Sequence, residues 1–279
     1  KRYPSFSLNH ISFSLPEGCV SGLIGANGAG KTTTIRSILN LARKDAGEVK
    51  IFGLHADEHE QEIKDRIGIV MDDGYFYNDL SMKDMKSIIA PAYSKWSDDD
   101  YQSYMRKFGL DPKQKISTLS SGMKLKFALV LALSHQAELL IMDEPTSSIT
   151  DREVENLFRK IEELKAQGIS IIYISHKMEE VFRIADDITV LRDGAVVSTD
   201  RAEDLDLDTV IARMVGRKLD NVYPKETVPI GDKALEIKGF SQKDLFEDIN
   251  FHVAKGEIVG FAGLVGAGRT ETMRAIFGL

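Results

Sequence analysis

A mostly parallel α/β sheet, with antiparallel N-terminal strands and a helical insertion, is the fold class that three observations predict. Short apolar runs alternate with amphipathic helical patterns over residues 1–215, the arrangement that builds a parallel sheet covered by helices. From Gly25 to Thr32 the chain reads G-x-x-x-x-G-K-T between an apolar strand and a helical run, the pattern of a phosphate-binding loop. From Asp73 to about Gly109 the texture turns to Met, Tyr, Lys and Asp in helical spacing, which marks a helical insertion between about residues 73 and 137.

In order along the chain, Ile11–Leu15 alternates apolar and polar residues as a half-buried strand does. Pro16-Glu17-Gly18 is a turn, and Cys19–Ile24 is a short apolar strand that runs into the glycine loop. Thr32–Leu41 reads as a helix, Gly47–Phe52 as a strand, Glu60–Arg66 as a helix and Ile67–Met71 as a strand. The insertion carries helices over Met82–Ile89, Asp98–Phe108 and Ser121–Ser134. Leu139–Met142 is a buried strand that ends in Asp143-Glu144. Thr150-Asp151-Arg152-Glu153 is a capping box for a helix that Gly168 closes. Ser170–Ile174 is a strand and Lys177–Ile184 a helix. Asp187–Leu191 and Ala195–Ser198 flank Asp193-Gly194, a hairpin signal, and Leu207–Val215 is a closing helix. Residues 220–232 hold Pro224, Pro229 and Gly231 without periodicity and read as a linker. Beyond them the beginning repeats: Leu245–Phe251 echoes Leu8–Phe13, and Lys255–Gly263 echoes Glu17–Gly25. The expected division is therefore a first domain over 1–219, a linker over 220–232, and the start of a second, truncated copy over 233–279.

At 279 residues, 43% apolar and 28% charged, the chain has the composition of a globular protein of about two domains. Its net charge of −7 argues against a dedicated nucleic-acid surface. Cys19 is the only cysteine, so no internal disulfide forms and a reducing compartment fits. No apolar run is long enough to span a bilayer, and no signal-peptide pattern opens the chain. The first residue is not Met, and the chain stops just after its second glycine loop, so both ends read as cut.

The chemistry follows from residue types at fixed spacing. Gly25, Asn27, Gly28, Ala29 and Gly30 let backbone N–H groups wrap β- and γ-phosphates, and the dipole of the following helix favours the anion. Lys31 would neutralise phosphate oxygens, Thr32 would ligate Mg²⁺, and Thr33 continues the cradle. Asp143, ending a buried strand, would hold Mg²⁺ directly or through water. Glu144 follows at once and could polarise an attacking water, since an ordinary Glu is ionised at neutral pH. His176 follows the strand Ile171–Ser175, where a sensor of the γ-phosphate would stand. Leu119-Ser120-Ser121-Gly122-Met123 precedes an apolar helix, either as a plain N-cap or as a second phosphate-binding N-terminus. His55-Ala56-Asp57-Glu58-His59 matches a zinc-protease pattern but lies in a polar stretch with no further ligand in view, and reads as a solvated loop.

The order of these elements resembles the nucleotide-binding domain of ABC transporter ATPases, a P-loop NTPase fold, over essentially the whole chain. The resemblance implies ATP hydrolysis with Mg²⁺ in a head-to-tail dimer of two such domains, each phosphate loop facing the partner's signature motif. On that basis Ser120 and Gly122 would contact the γ-phosphate across the dimer, and Tyr3 would stack on adenine. Ser148-Ile149-Thr150 would communicate between sites. The implied partners are transmembrane permease subunits at the cytoplasmic face of the cell membrane and an external sugar-binding protein, with no nucleic acid.

Three departures stand out. Asp72 replaces the family's Gln; its carboxylate could help hold Mg²⁺ but would repel the γ-phosphate. The signature reads LSSGM rather than LSGGQ. The second glycine loop, Gly263–Thr270, has Arg269 where Lys belongs, and the planar guanidinium fits such a loop poorly. Up to Met142, the run Asp72-Asp73-Gly74 and the helix LSSGMKLKFALVLAL resemble exporter-type ATPases for drugs and antimicrobial peptides. From Asp143 onward, DEPTSSIT, YISHKMEE, ITVLRDG and MVGR resemble monosaccharide importers, which fuse two such domains with a degenerate second loop. Sugar import is the leading expectation. Export, a composite sequence, a soluble non-transport ABC ATPase and a nucleotide-binding fragment without turnover are the alternatives.

Overall fold

The computed structural model describes residues 1–71, 76–216, 228–243, 245–263 and 267–278. The chain divides into two compact units, Lys1–Leu219 and Asp220–Leu279.

In the first unit, β1 (Arg2–Tyr3) and β2 (Phe6–Ser7) form a small antiparallel pair. β3 (Val20–Gly25) is buried at every residue and leads through the glycine loop into α1 (Lys31–Ile38). β4 (Lys50–Ile51) and β5 (Leu54–His55) make a second hairpin. There follow α2 (Glu60–Lys64), β6 (Ile67–Met71), α3 (Met82–Ile89), α4 (Asp98–Phe108), α5 (Ser121–Ser134) and β7 (Leu139–Asp143). After these come α6 (Asp151–Lys165), β8 (Ser170–Ile174), α7 (Met178–Ile184), β9 (Asp187–Arg192), β10 (Ala195–Arg201) and α8 (Leu207–Val215).

The main sheet runs β10-β9-β3-β8-β7-β6. All its pairings are parallel except the β9–β10 hairpin. Strand alternation sends side chains to two cores. Val20, Ile24, Leu140, Met142, Ile171 and Tyr173 pack with α5, α6 and α7. Leu23, Ile141, Ile172 and Ile174 pack with Ile35 and Leu39 around α1. A sheet buried on both faces needs apolar strands rather than alternating ones, which is why β3, β7 and β8 read as short continuous apolar runs. Because β3 is flanked by β8 and β9, the carboxyl ends of β3, β7 and β8 share one edge, where ligands bind in open α/β sheets.

α5 is buried around nearly its whole circumference, as an apolar helix between layers must be, and it packs on both α4 of the insertion and β6 of the sheet. Among the described residues no helix is long and apolar enough to cross a membrane.

Two expected strands come out differently. Ile11–Leu15 keeps its alternation of half-buried and exposed residues but joins no ladder. Ile11 and Leu15 pack on the core around α1; the pattern specifies which side is buried, not a hydrogen-bonding partner. Gly47–Phe52 shortens to β4, because Phe52 (φ 55°) and Gly53 (φ 78°) turn the chain into β5, a two-residue hairpin turn with left-handed residues. The first helix stops at Ile38 rather than Leu41: Asn40 is left-handed at φ 55° and Leu41 N–H donates to Arg36 O at 2.8 Å, a C-terminal capping geometry.

In the second unit, β11 (Lys233–Gln242) pairs antiparallel with β12 (Phe246–Ala254), and α9 (Arg269–Ile276) follows.

Candidate functional site

The glycine loop is shaped by close approaches. A β-carbon on Gly25 would lie 2.5 Å from Leu191 O and 2.9 Å from Ala29 Cβ. Gly30 sits at φ 108°, and a β-carbon there would meet Leu8 and Phe6 side chains at 2.6 and 2.9 Å. Only glycine takes that backbone without strain. Ala26, Asn27 and Gly28 are exposed at the tip while Ala29 and Gly30 are buried. Lys31 folds back, its Nζ donating to Gly25 O at 2.7 Å and Ala26 O at 3.4 Å. Its ammonium is thus held over the loop, within reach of an anion cradled there. Thr32 is exposed at the start of α1 and Thr33 half-buried behind it. Thr34 Oγ1 donates to Gly30 O at 2.9 Å, fastening the first turn. The β9–β10 turn adds a support that sequence patterning missed: Gly194 N–H donates to Ala29 O at 3.1 Å. Its visible signal was only the Asp193-Gly194 hairpin pair.

Tyr3, Phe6, Gly28 and Asp193 line one open cleft. Tyr3 is 43% exposed there, with the Lys1 ammonium 5.5 Å from its ring centroid.

Two strands over from β3, β7 ends at Asp143, in register with Ile174 of β8, which is in turn in register with Leu23 of β3. Asp143 is half-buried. Glu144 N–H donates to Ile174 O at 2.9 Å, and Glu144 takes φ 49°, a left-handed backbone that a non-glycine residue adopts at some cost. This bend aims its carboxylate at the end of β8. Glu144 Oε2 lies 2.8 Å from His176 Nδ1 and accepts its N–H, and 3.4 Å from the His176 amide nitrogen. The structure therefore brings Glu144 and His176 together, at the sheet edge where the glycine loop also stands. The oxygen donors Thr32 and Asp143 make a hard-ligand set that suits Mg²⁺, which keeps few protein ligands and completes its shell with water and phosphate.

Ser120 is exposed at the N-cap of α5, its Oγ accepting from Met123 N–H at 3.2 Å. Among the described residues no hydrogen bond joins it to the glycine loop of the same chain. Gly122 is buried, and a β-carbon there would fall 1.9 Å from Glu153 Oε1. Glu153 Oε2 in turn accepts from Thr150 N–H at 3.0 Å and Thr150 Oγ1 at 2.9 Å. These bonds hold the Glu153 carboxyl below its usual range. The start of α5 and the first turn of α6 are thus in direct steric contact, a link that spacing alone did not reveal. Asp72 lies outside the described residues. His55 and His59 of the zinc-protease pattern face Glu48 and Glu62 separately.

The second unit repeats the loop's local packing. A β-carbon on Gly263 would meet Ala267 Cβ at 3.1 Å and Arg269 Cδ at 3.6 Å. Thr272 Oγ1 donates to Gly268 O at 2.8 Å, matching Thr34 and Gly30. Lys255–Gly263, the echo of β3, forms no strand; among the described residues of this unit only β11 and β12 pair.

Residues 8–147, half of the chain, match the family model described as ABC transporter. The chain is 40% identical over 296 residues to a putative ribose/galactose/methyl galactoside import ATP-binding protein of Rhizobium etli, an alignment covering 100% of this chain and 56% of that protein. It is 38% identical over 293 residues to the ribose import ATP-binding protein RbsA of Bacillus subtilis, covering 98% of this chain and 57% of that one. The chain therefore spans little more than half the length of these curated relatives. A solved ATP-binding subunit of an ABC transporter aligns with a TM-score of 0.66 and 26% identity, over 77% of this chain and 90% of that one. A dimeric ATP-binding cassette bound to ADP and phosphate after hydrolysis shares the fold, with a TM-score of 0.62 and 20% identity over 70% and 90% of the two chains. With the glycine loop, the buried Asp143 strand and the family match over the same residues, this chain belongs to the ABC transporter family.

Proposed function

We propose that this chain hydrolyses ATP to energise the import of a monosaccharide through partner membrane subunits. The 2.8 Å contact between Glu144 and His176, on the sheet edge that carries the Lys31 loop, is the observation that supports turnover rather than mere nucleotide binding. In this reading Gly25, Asn27, Gly28, Ala29, Gly30, Lys31 and Thr33 hold the phosphates of ATP and Tyr3 meets the adenine. Thr32 and Asp143, with Asp72, hold Mg²⁺, which supplies charge neutralisation when bound. Glu144 orients and polarises the attacking water, and His176 fixes the Glu144 carboxylate while sensing the γ-phosphate. There is little covalent work for the protein in phosphoryl transfer; positioning and preorganised charge carry the rate.

The exposed Ser120 and the buried Gly122 of one copy face the phosphates bound by a second nucleotide-binding domain, head to tail. Residues 1–219 form one such domain. Residues 233–279 begin another, whose Arg269 makes it the weaker nucleotide site. The relatives' printed names, ribose and galactose import, favour sugar import at the cytoplasmic face of a membrane, with permease subunits and an external sugar-binding protein as partners.

The test is Glu144→Gln. In a dimeric assembly with Mg²⁺, turnover should fall by about 10²–10³-fold, while ATP binding, followed with a fluorescent analogue, stays within twofold. Parent and variant that are equally inactive would sink the enzyme reading.

A further inference from the structure

Glu180, in the first turn of α7, is 9% exposed. A buried carboxylate is costly unless it is paired and its lone pairs are filled. Here both conditions are met. Oε2 accepts from Thr146 Oγ1 at 2.5 Å, Tyr173 OH at 2.9 Å and Ser175 Oγ at 3.5 Å. Oε1 faces Lys177 Nζ at 3.1 Å, and that ammonium also donates to Thr146 O at 3.0 Å. Ser175 Oγ further accepts from Lys177 N–H at 3.1 Å. Thr146, Tyr173 and Ser175 are themselves buried, so these bonds have no competing water. Burial and the neighbouring carboxylate push the Tyr173 phenol well above its usual range, which keeps it a donor.

The partners' positions in the chain give the cluster its meaning. Thr146 follows Glu144 by two residues, and Ser175 and Lys177 bracket His176. One carboxylate thereby holds the side chains of Thr146, just beyond Glu144, and of Ser175 and Lys177, on either side of His176. We propose that Glu180 is a positioning residue that locks the 144–146 and 175–177 segments together, and so sets the Glu144–His176 contact. Its consequence for turnover rests on the ATPase reading above; its consequence for geometry does not.

The experiment uses the full chain labelled with ¹⁵N-histidine, with the His176 ring signals assigned by their loss in His176→Ala. In Glu180→Gln the His176 ring nitrogens should shift in the same direction as in Glu144→Ala, while the His135 signals stay in place and report an intact fold. Thr146→Val, which removes one hydroxyl donor and keeps the volume, should produce a smaller shift of the same sign, and it decides the matter where Glu180→Gln does not fold. In ATPase assays of a dimeric assembly, Glu180→Gln should lower kcat about tenfold with the KM for ATP within twofold, and should have no further effect in a His176→Ala background. A merely structural loss would instead be additive. Unmoved His176 signals in folded Glu180→Gln, or in Thr146→Val where Glu180→Gln does not fold, overturn the proposal. Should Glu144→Gln turn over ATP as fast as the parent, the ATPase reading fails on its own and the His176 shift still decides the role of Glu180.

Discussion

Gly122 shows how a single hydrogen atom can be the packing requirement at a position. Any side chain there must displace the Glu153 carboxylate, whose Oε1 would lie 1.9 Å from the new β-carbon, and that carboxylate is tied to Thr150 by two bonds. Gly122→Ala should therefore act through the N-terminus of α6, costing about 1–2 kcal/mol, the range for losing a cap. The double variant with Glu153→Ala should cost less than the sum of the singles by at least about 0.5 kcal/mol, as coupled neighbours do. Urea unfolding followed by the fluorescence of Trp96, the only tryptophan, measures this; strict additivity would show that the close approach carries no energy. At this scale the glycine loop, Asp143, Glu144 and His176 stand out in the sequence as candidates, because a phosphate site would need those residue types at nearly fixed spacing or at strand ends. Glu153 is legible only as the end of its capping box with Thr150; its approach to Gly122 and the cluster around Glu180 are not, because those partners lie elsewhere along the chain and only packing brings them together.

Among the elements, legibility followed burial. β6, β8, α3, α4, α5 and α8 have the bounds their periodicity predicts, since each is specified by its own apolar pattern and caps: Ser81 and Ser97 accept from the third residue onward at 3.1 Å each. Ile11–Leu15 fails because an edge strand depends on a neighbour that its own residues do not encode. α5 is the element on which the others depend. It is apolar all round, it joins the insertion to the sheet, and Phe127 at its middle is fully buried with Phe76 at 5.2 Å between ring centroids. Phe127→Ala should cost about 3–5 kcal/mol and should loosen the insertion and the sheet together, so that Trp96 fluorescence and far-UV circular dichroism melt at the same lowered temperature. A loss confined to one probe would mean that α5 does not couple the two layers.

At the scale of the whole first unit, acid sensitivity is written into His135. This residue closes α5, is 1% exposed, stacks on Tyr93 of the insertion at 3.7 Å between centroids, and donates from Nδ1 to Asp65 O at 3.2 Å. Beside it Ser94 N–H donates to Asp65 at 2.7 Å, and Arg66 and Lys95 both pair with Glu138, so the insertion is fastened to the sheet around a neutral imidazole. Burial pulls the His135 pKa down from 6.5 to about 4, against the smaller opposing effect of Asp65. The sign follows from proton counting. Between about pH 6.5 and 4 the unfolded chain binds a proton that the folded one refuses, so stability rises with pH across that window and falls on acidification. The full contribution is about 3 kcal/mol, at about 1.4 kcal/mol per pKa unit. It is complete above the unfolded value and gone below the folded one. Carboxylates held low by their partners, such as Glu138 by Arg66, lose their contribution further into the acid range, which leaves pH 6.5 to 5 as the diagnostic interval. His135→Phe keeps a ring stacked on Tyr93 and removes the titration. Urea unfolding monitored by Trp96 should then show the parent losing about 2 kcal/mol between pH 6.5 and 5 while the variant stays nearly flat; equal slopes in the two proteins would assign the acid sensitivity to other groups.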